Sequence, residues 1–300
     1  MYPSPEHTWR PGARTFYWSS AIAVMLIWLT PIFLLLNTAL KSNEQINAEQ
    51  GAKFTIPAPL LPEGFWVLLG NPAFWSSMVY SFLVVLPVVC VAVSFATLAG
   101  YVLAKHKFLG RTWLFAIFVA GNFVPFQVLT FPVLRMMQDL GFGDWSPYNT
   151  LWALILFHGA FQTGFCVFFM RNFIAALPTE LIEAARMEGA NEFQVFWNVI
   201  LPLLRPALAA LGLLIFTFVW NDFYWSLVLT QGDLMLVPTQ LVNLASGQWQ
   251  NRWNVMAGGS IIVSRRGLPP ISWQVHTQRC ASEPPSDAPI MSKGSSPMCS

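Results

Sequence analysis

Between Leu177 and Leu208 the chain reads LPTELIEAARMEGANEFQVFWNVILPLLRPAL, a run that mixes carboxylates with apolar residues. Glu180, Glu183, Glu188 and Glu192 are the acids, and Ala184, Ala185 and Met187 form a compact apolar surface beside them. Pro178 and Thr179 open a helix whose positive end favours Glu180 and Glu183. Gly189 permits a tight turn into a second short helix, Glu192 to Asn198, and Pro202 and Pro206 punctuate the entry to the next apolar stretch. Helix, glycine turn and helix make a rigid knob suited to a groove on a partner protein. A helix lying on the membrane surface is the alternative, but acidic residues gain nothing from an anionic leaflet.

Other polar groups stand alone in apolar surroundings. Trp220, Asn221, Asp222, Tyr224 and Trp225 sit together, where aromatic faces could stack on a pyranose ring and amides could bind hydroxyls. The same rings serve equally well as an interfacial belt that needs no ligand. Asp222 is either a functional acid or a group that meets headgroup water or caps a structure. His158 lies among Phe157, Phe161 and Phe165, and a hydrogen bond to a neighbouring helix accounts for it better than a proton relay. Gln127 and Gln162 could line a polar path or bond between helices. Cys90 and Cys166 lie in apolar stretches and Cys280 and Cys299 in the tail, with no disulfide or metal spacing. No Gly-x-x-x-x-Gly-Lys-Ser/Thr run and no nucleophile constellation is present, so this chain is not expected to be an enzyme or to hold a cofactor.

The elements that must position these residues follow from composition. Hydrophobic residues are 55% of the 300 and charged residues only 10%, well under the usual quarter. Crossing a bilayer takes roughly 20 apolar residues as helix. Thr15–Leu40, Ser77–Ala104, Thr112–Leu134 and Trp145–Met170 are free of Asp, Glu, Lys and Arg. A fifth window, about Val199 to Thr230, is interrupted by Arg205 and Asp222. These windows define an all-α, polytopic transmembrane protein. Pro31, Pro87, Pro125 and Pro132 should kink their spans, and the long loop Lys41–Ser76 should be extended with short helical turns. The first apolar stretch is too long for a signal-peptide core and reads as an uncleaved anchor.

Basic residues set the orientation. Arg10, Arg14, Lys105, Lys107, Arg111, Arg171, Arg186 and Arg205 flank the spans on one side, against Lys41, Lys53, Arg135 and Arg252 on the other. The N-terminus and the loop Arg171–Arg205 should therefore be cytoplasmic.

The loop resembles the EAA loop of binding-protein-dependent transporter permeases. The pattern is Glu-Ala-Ala, three residues, Gly, nine residues, Ile, any residue and Leu-Pro; here Glu183, Ala184, Ala185, Gly189, Val199, Leu201 and Pro202 match, with Val for Ile. Within the family the chain is most similar to carbohydrate-importer subunits of the MalG type, through Val124–Gln127, Phe169–Phe173 and Phe218–Thr230. Tyr80-Ser81, where Asn-Ser is common, departs from that pattern. The resemblance implies a type I ABC importer permease of a bacterial inner membrane. Glu183, Ala184, Ala185, Gly189, Leu201 and Pro202 would couple to a separate ABC ATPase subunit. It further implies a second permease subunit, an extracytoplasmic solute-binding protein and contact with membrane lipid, with no nucleic-acid partner. Gln127, Trp220, Asn221 and Tyr224 are the candidate substrate pathway. Sugars are the expected cargo; glycerol-3-phosphate, polyols or another small solute are alternatives, as is a secondary transporter, which would need more ionisable residues at mid-membrane.

The expected layout is a cytoplasmic segment 1–14, a permease domain 15–263 with its coupling loop at about 177–202, and a disordered tail 264–300. Five full spans and an incomplete sixth are expected. The sixth starts at Trp253 and loses its apolar character after Val263, where Ser264, Arg265 and Arg266 begin a tail rich in Ser, Pro, Cys and His. A frameshift near Ser264 would account for the abrupt change.

Overall fold

The computed structural model describes residues 11–49, 54–57, 62–141, 145–246 and 252–267. Expectations for Arg10, Lys53, Cys280, Cys299 and the tail beyond Gly267 lie outside the described residues. Apolar segments in lipid must satisfy their own backbone hydrogen bonds, which leaves the helix as the available form. The helices are α1 (Pro11–Ala39), α2 (Asn43–Ala48), α3 (Glu63–Leu69), α4 (Pro72–Lys105), α5 (Arg111–Gly121), α6 (Thr130–Asp139) and α7 (Leu151–Ala175). After them come α8 (Glu180–Met187), α9 (Glu192–Gln194), α10 (Leu201–Trp220), α11 (Tyr224–Leu229), α12 (Val237–Ala245) and α13 (Trp253–Gly267).

Among the described residues, four helical stretches are long and apolar enough to cross a membrane: Gly12–Ala39, Pro72–Lys105, Leu151–Ala175 and Glu192–Trp220. The expected third span is not one rod. Arg111–Gly121 and Phe126–Asp139 meet at 89°, and together they make a fifth crossing if the bent pair is one span. Pro125 sits at that break, and a short 3-10 turn, Phe126–Leu129, restarts the helix. Pro31 and Pro87 lie inside unbroken helices and Pro132 in the first turn of α6.

The fifth span also differs from expectation. The segment Glu192–Asn198 is not a separate short helix: α9, a π turn at Val195–Ile200 and α10 run as one helix from Glu192 to Trp220. Pro202 and Pro206 fall within it and do not interrupt it. Pro202 offers no N–H to the carbonyl of Asn198, nor Pro206 to that of Pro202. A π turn, Val195–Ile200, ends just before Pro202, and the helix continues as α through both prolines. The span then stops at Trp220, and Asn221–Phe223 separates it from α11.

α4 and α7 form the centre and run parallel. A Cβ added at Gly100 would lie 2.9 Å from the backbone nitrogen of Arg171, so glycine is what lets these two helices touch. α5 lies antiparallel on α7, with Gly164 against the Phe118 carbonyl and Phe115 stacked on Phe168 at 6.1 Å. α10 returns beside α4, where Trp220 stacks on Phe216 and meets Phe82. The buried core is built from these faces: Val84, Val88, Ala92 and Ala96 of α4, Leu154, Val167 and Met170 of α7, and Leu204, Leu211 and Ile215 of α10.

α1 is different. It is apolar all round and exposes apolar side chains such as Trp28, Ile27 and Leu26 along its length. That pattern fits a lipid-facing helix. Its C-terminal end is tied down. There Asn37, Thr38 and Lys41 are buried, and the Asn254 amide of α13 donates to the Lys41 carbonyl at 3.4 Å. The Lys41 ammonium bonds Glu49 at 2.8 Å and Thr55 at 2.7 Å. The loop after α1 contains the short helices α2 and α3, and α4 begins at Pro72, earlier than the expected Ser77. α13 runs to Gly267, four residues past Val263. At 15 residues it is about 22 Å long, still short of a bilayer core.

Candidate functional site

α7 ends where Pro178 disfavours helix at Leu177. The Lys105 ammonium, at the end of α4, donates to the Leu177 carbonyl at 2.7 Å and fixes the start of the loop. α8 carries Glu180 and Glu183 in its first turn and Arg186 in its last, the order that the helix dipole favours. Ile182 is buried and anchors it. The end of α8 is a complete Schellman motif: the Ala190 N–H donates to the Ala185 carbonyl at 3.1 Å and the Gly189 N–H to that of Arg186 at 3.0 Å. Gly189 has φ +88°, the left-handed conformation this motif requires. Asn191 follows directly as the cap of the long helix, in a reciprocal capping box with Gln194, both bonds at 2.9 Å. Sequence reasoning missed that box, although the Asn-x-x-Gln spacing that signals it is plain.

Glu192 ties the knob to the body. One carboxylate oxygen meets Arg186 at 2.7 Å; the other accepts from the Tyr101 hydroxyl at 3.2 Å and lies 3.6 Å from His106 Nε2. Tyr101 and His106 belong to the end of α4, so the loop is fastened both to itself and to the central helix.

Of the expected coupling residues, Glu183, Ala184, Gly189 and Pro202 are exposed, while Ala185 and Leu201 are half-buried against the core. The apolar surface expected of Ala184, Ala185 and Met187 is divided. Ala185 faces inward, and Met187, at 88% exposure, points away from the protein. Leu181 and Phe193 are also exposed, leaving apolar side chains beside Glu180, Glu183 and Glu188.

The expected pathway residues do not form one cluster. Trp220 is buried in the core, with its indole N–H unpartnered among the described residues. Asn221 is exposed and its amide donates to the Thr217 carbonyl at 2.8 Å. Gln127 and Tyr224 are brought together through Thr130. The Thr130 hydroxyl donates to the Gln127 carbonyl at 2.6 Å and receives the Tyr224 hydroxyl at 2.6 Å.

A cleft of about 370 Å³ opens beside them, between α7, the end of α5 and the break after α10. Its polar lining is Asn122, His158, Gln162 and Asp222. The Asp222 carboxylate caps α11, accepting from the Trp225 and Ser226 amides at 3.3 and 3.0 Å. Capping was one of its expected roles. Its Oδ2 lies 3.3 Å from His158 Nε2, yet the pair lacks hydrogen-bond geometry and neither ring nitrogen has a hydrogen-bond partner among the described residues. A buried polar group left so costs about 1–3 kcal/mol.

The described residues contain no cluster of His, Cys, Asp or Glu fit for a metal ion. Residues 92–264, more than half of the chain, match the family model of the binding-protein-dependent transport system inner membrane component. A probable ABC transporter permease of Pyrococcus horikoshii is 32% identical over 82% of this chain and 86% of its own length. An arabinooligosaccharides transport system permease of Halalkalibacterium halodurans is 32% identical over 66% of this chain and 65% of its own. An alpha-glucoside transport system permease of Rhizobium meliloti is 30% identical over 74% and 60%. In fold, the chain is similar to one from a bacterial ABC transporter that imports the polysaccharide alginate, with TM-score 0.71 and 22% identity over 90% of this chain and 98% of that one. A helical bundle of this form, carrying sequence likeness through its central helices, its loop and the start of α13, belongs to the family of binding-protein-dependent transport system inner membrane components, the ABC transporter permeases.

Proposed function

We propose that this chain is one of two permease subunits in an ATP-driven sugar importer and that the loop Leu177–Pro202 docks on its ATPase subunit. The observation that carries the docking is the loop's construction. A Schellman turn, a capping box and the Glu192 network hold the backbone rigid, while Met187, Leu181 and Phe193 stay exposed beside acids. Rigid presentation lowers the entropy lost on binding, and an apolar side chain ringed by charge is suited to a pocket with a polar rim. Sugar as cargo is favoured by the relatives, whose names specify arabinooligosaccharides and alpha-glucosides.

In this reading the N-terminus and the loop face the cytoplasm, and an extracytoplasmic binding protein delivers the solute on the opposite side. ATP-driven closure of the ATPase pair draws the two permeases' loops together and rocks the spans from inward- to outward-facing. ATP and the loaded binding protein act by favouring the same conformation. The test is co-purification with candidate ATPase subunits. Gly189→Pro removes the N–H bonded to Arg186 and the left-handed turn, and Glu183→Lys reverses a charge on the exposed face. Both should lose the ATPase while still inserting in the membrane. Unchanged recovery in both variants would overturn the docking role.

A further inference from the structure

The cleft at the break after α10 combines aromatic rings with four polar side chains. Its volume, about 370 Å³, lies within the roughly 300–1,000 Å³ typical of small-molecule sites. The aromatic side is ordered: Phe157 and Phe161 stack with ring planes 15° apart, and Trp225 lies over Phe157 at 3.7 Å. Phe165 and Phe126 extend that wall. With these rings the cleft holds a carboxylate, an imidazole and two carboxamides, from Asp222, His158, Asn122 and Gln162.

His158 is the second, independent observation. It is only 4% exposed, lines the cleft, and keeps both ring nitrogens without hydrogen-bond partners among the described residues. Buried polar groups are almost always satisfied, so such a histidine marks a place where something else completes the bonding. The Asp222 carboxylate stands 3.3 Å from Nε2 but outside hydrogen-bond geometry, with one bond from the Trp225 amide on one oxygen and one from the Ser226 amide on the other, which leaves it free to accept more. A neutral imidazole offers one donor and one acceptor, and each carboxamide offers both. The carboxylate adds only acceptors. A ligand that suits this set needs several groups that each donate and accept, on a frame with an apolar face for the rings. Vicinal hydroxyls on a pyranose or furanose ring meet that description. A cation would use the carboxylate but leave the imidazole N–H and the amide N–H groups facing it.

We propose that this cleft is a sugar-binding station within the permease, in which His158, Gln162, Asn122 and Asp222 bind ring hydroxyls against the Phe157–Phe161 wall. This rests on the sugar-importer reading and adds a place and residues to it. Asn122 belongs to the break between α5 and the Phe126 turn, and Asp222 to the break after α10. The station is thus lined by the two points where spans are interrupted, where unsatisfied backbone can face a ligand rather than lipid.

The full-length chain in lipid nanodiscs can be titrated with maltotriose and with arabinotriose, and binding read by saturation-transfer NMR at the sugar C–H protons. Wild type should bind at least one probe. His158→Leu and Phe161→Ala should each weaken binding about tenfold, the size of one lost strong contact. His158→Gln, which keeps a donor and an acceptor, should recover most of it, and this separates recognition from packing. Leu213→Ala, which does not line the cleft, should bind as wild type. Equal affinity in all variants would overturn the station. ATPase co-purification, run on the same samples, keeps the two readings apart. No sugar signal from wild type that still recovers its ATPase overturns the station alone. Loss of both overturns the importer reading with it.

Discussion

Lys41 is fully enclosed at the end of α1, in a loop whose sequence marks it only as one basic residue among four on its side. Its ammonium, ahead of the Thr55 hydroxyl, holds the Glu49 carboxyl down at about 2. Thr55 donates to Glu49 at 2.6 Å and Gln45 at 2.9 Å, so the carboxylate is bonded from three sides. A carboxyl depressed on folding adds stability that is complete above its unfolded value, near 4.5, and that disappears as pH falls through its folded value. Glu49→Gln should therefore lower the melting temperature of the protein at pH 6 to 8, and the difference from wild type should shrink as pH falls from about 4.5 toward 2. A deficit independent of pH would mean that the charge is not what stabilises the loop. Legibility at this scale was uneven. Asp222 and His158 stand out in sequence as polar groups in apolar stretches, but nothing in a one-dimensional pattern shows that they face each other 3.3 Å apart. Trp220 and Asn221 illustrate the opposite limit. Adjacent in sequence and equally plausible as ligand contacts, they diverge in space because one ends the helix inside the core and the other starts the turn.

Among the elements, the apolar windows were legible because hydropathy integrates over about twenty residues and tolerates local error. The breaks were not. Thr112–Leu134 is charge-free throughout, so composition could not distinguish a straight span from two helices at 89°. Pro125 was the available sign, yet Pro202 and Pro206 carry the same sign where the helix continues. A π turn precedes Pro202 where a turn and bend precede Pro125, and which of these forms depends on packing that the sequence does not display. Packing also decides the central pair. Gly100 is one of 19 glycines, but a Cβ there would lie 2.9 Å from the Arg171 nitrogen, whereas one at Gly121 would meet nothing within 4 Å. Gly100→Ala should destabilise the protein by about 1–3 kcal/mol through overpacking, measured by chemical unfolding in nanodiscs. Gly121→Ala should be close to neutral. Equal effects at the two positions would show that α4 and α7 are not in backbone contact.

For the whole molecule, the side of the membrane on which each end lies is an expectation from charge, and it can be measured. A membrane-impermeant maleimide should label Met187→Cys in inside-out vesicles but not in right-side-out ones, with Trp66→Cys showing the reverse, in a background without native cysteines. Labelling of both from the same side would overturn the topology. The family match ends at Ser264, close to where the apolar run gives way, and the frameshift proposal makes a plain forecast. Reading the encoding DNA in its other two frames should restore an apolar run followed by basic residues; if neither frame does so, the proposal is wrong. One further property belongs to the molecule as a whole. The unbroken helix from Glu192 to Trp220 has 29 residues, about 43 Å at 1.5 Å each. Glu192 stands at its first turn, and two residues past its last stands Asp222. The knob and the cleft thus stand at opposite ends of one continuous helix. Tilting a helix of that length by about 5° about one end moves the other end by about 4 Å. A small change of angle set at one end is, by simple leverage, a displacement of several ångströms at the other.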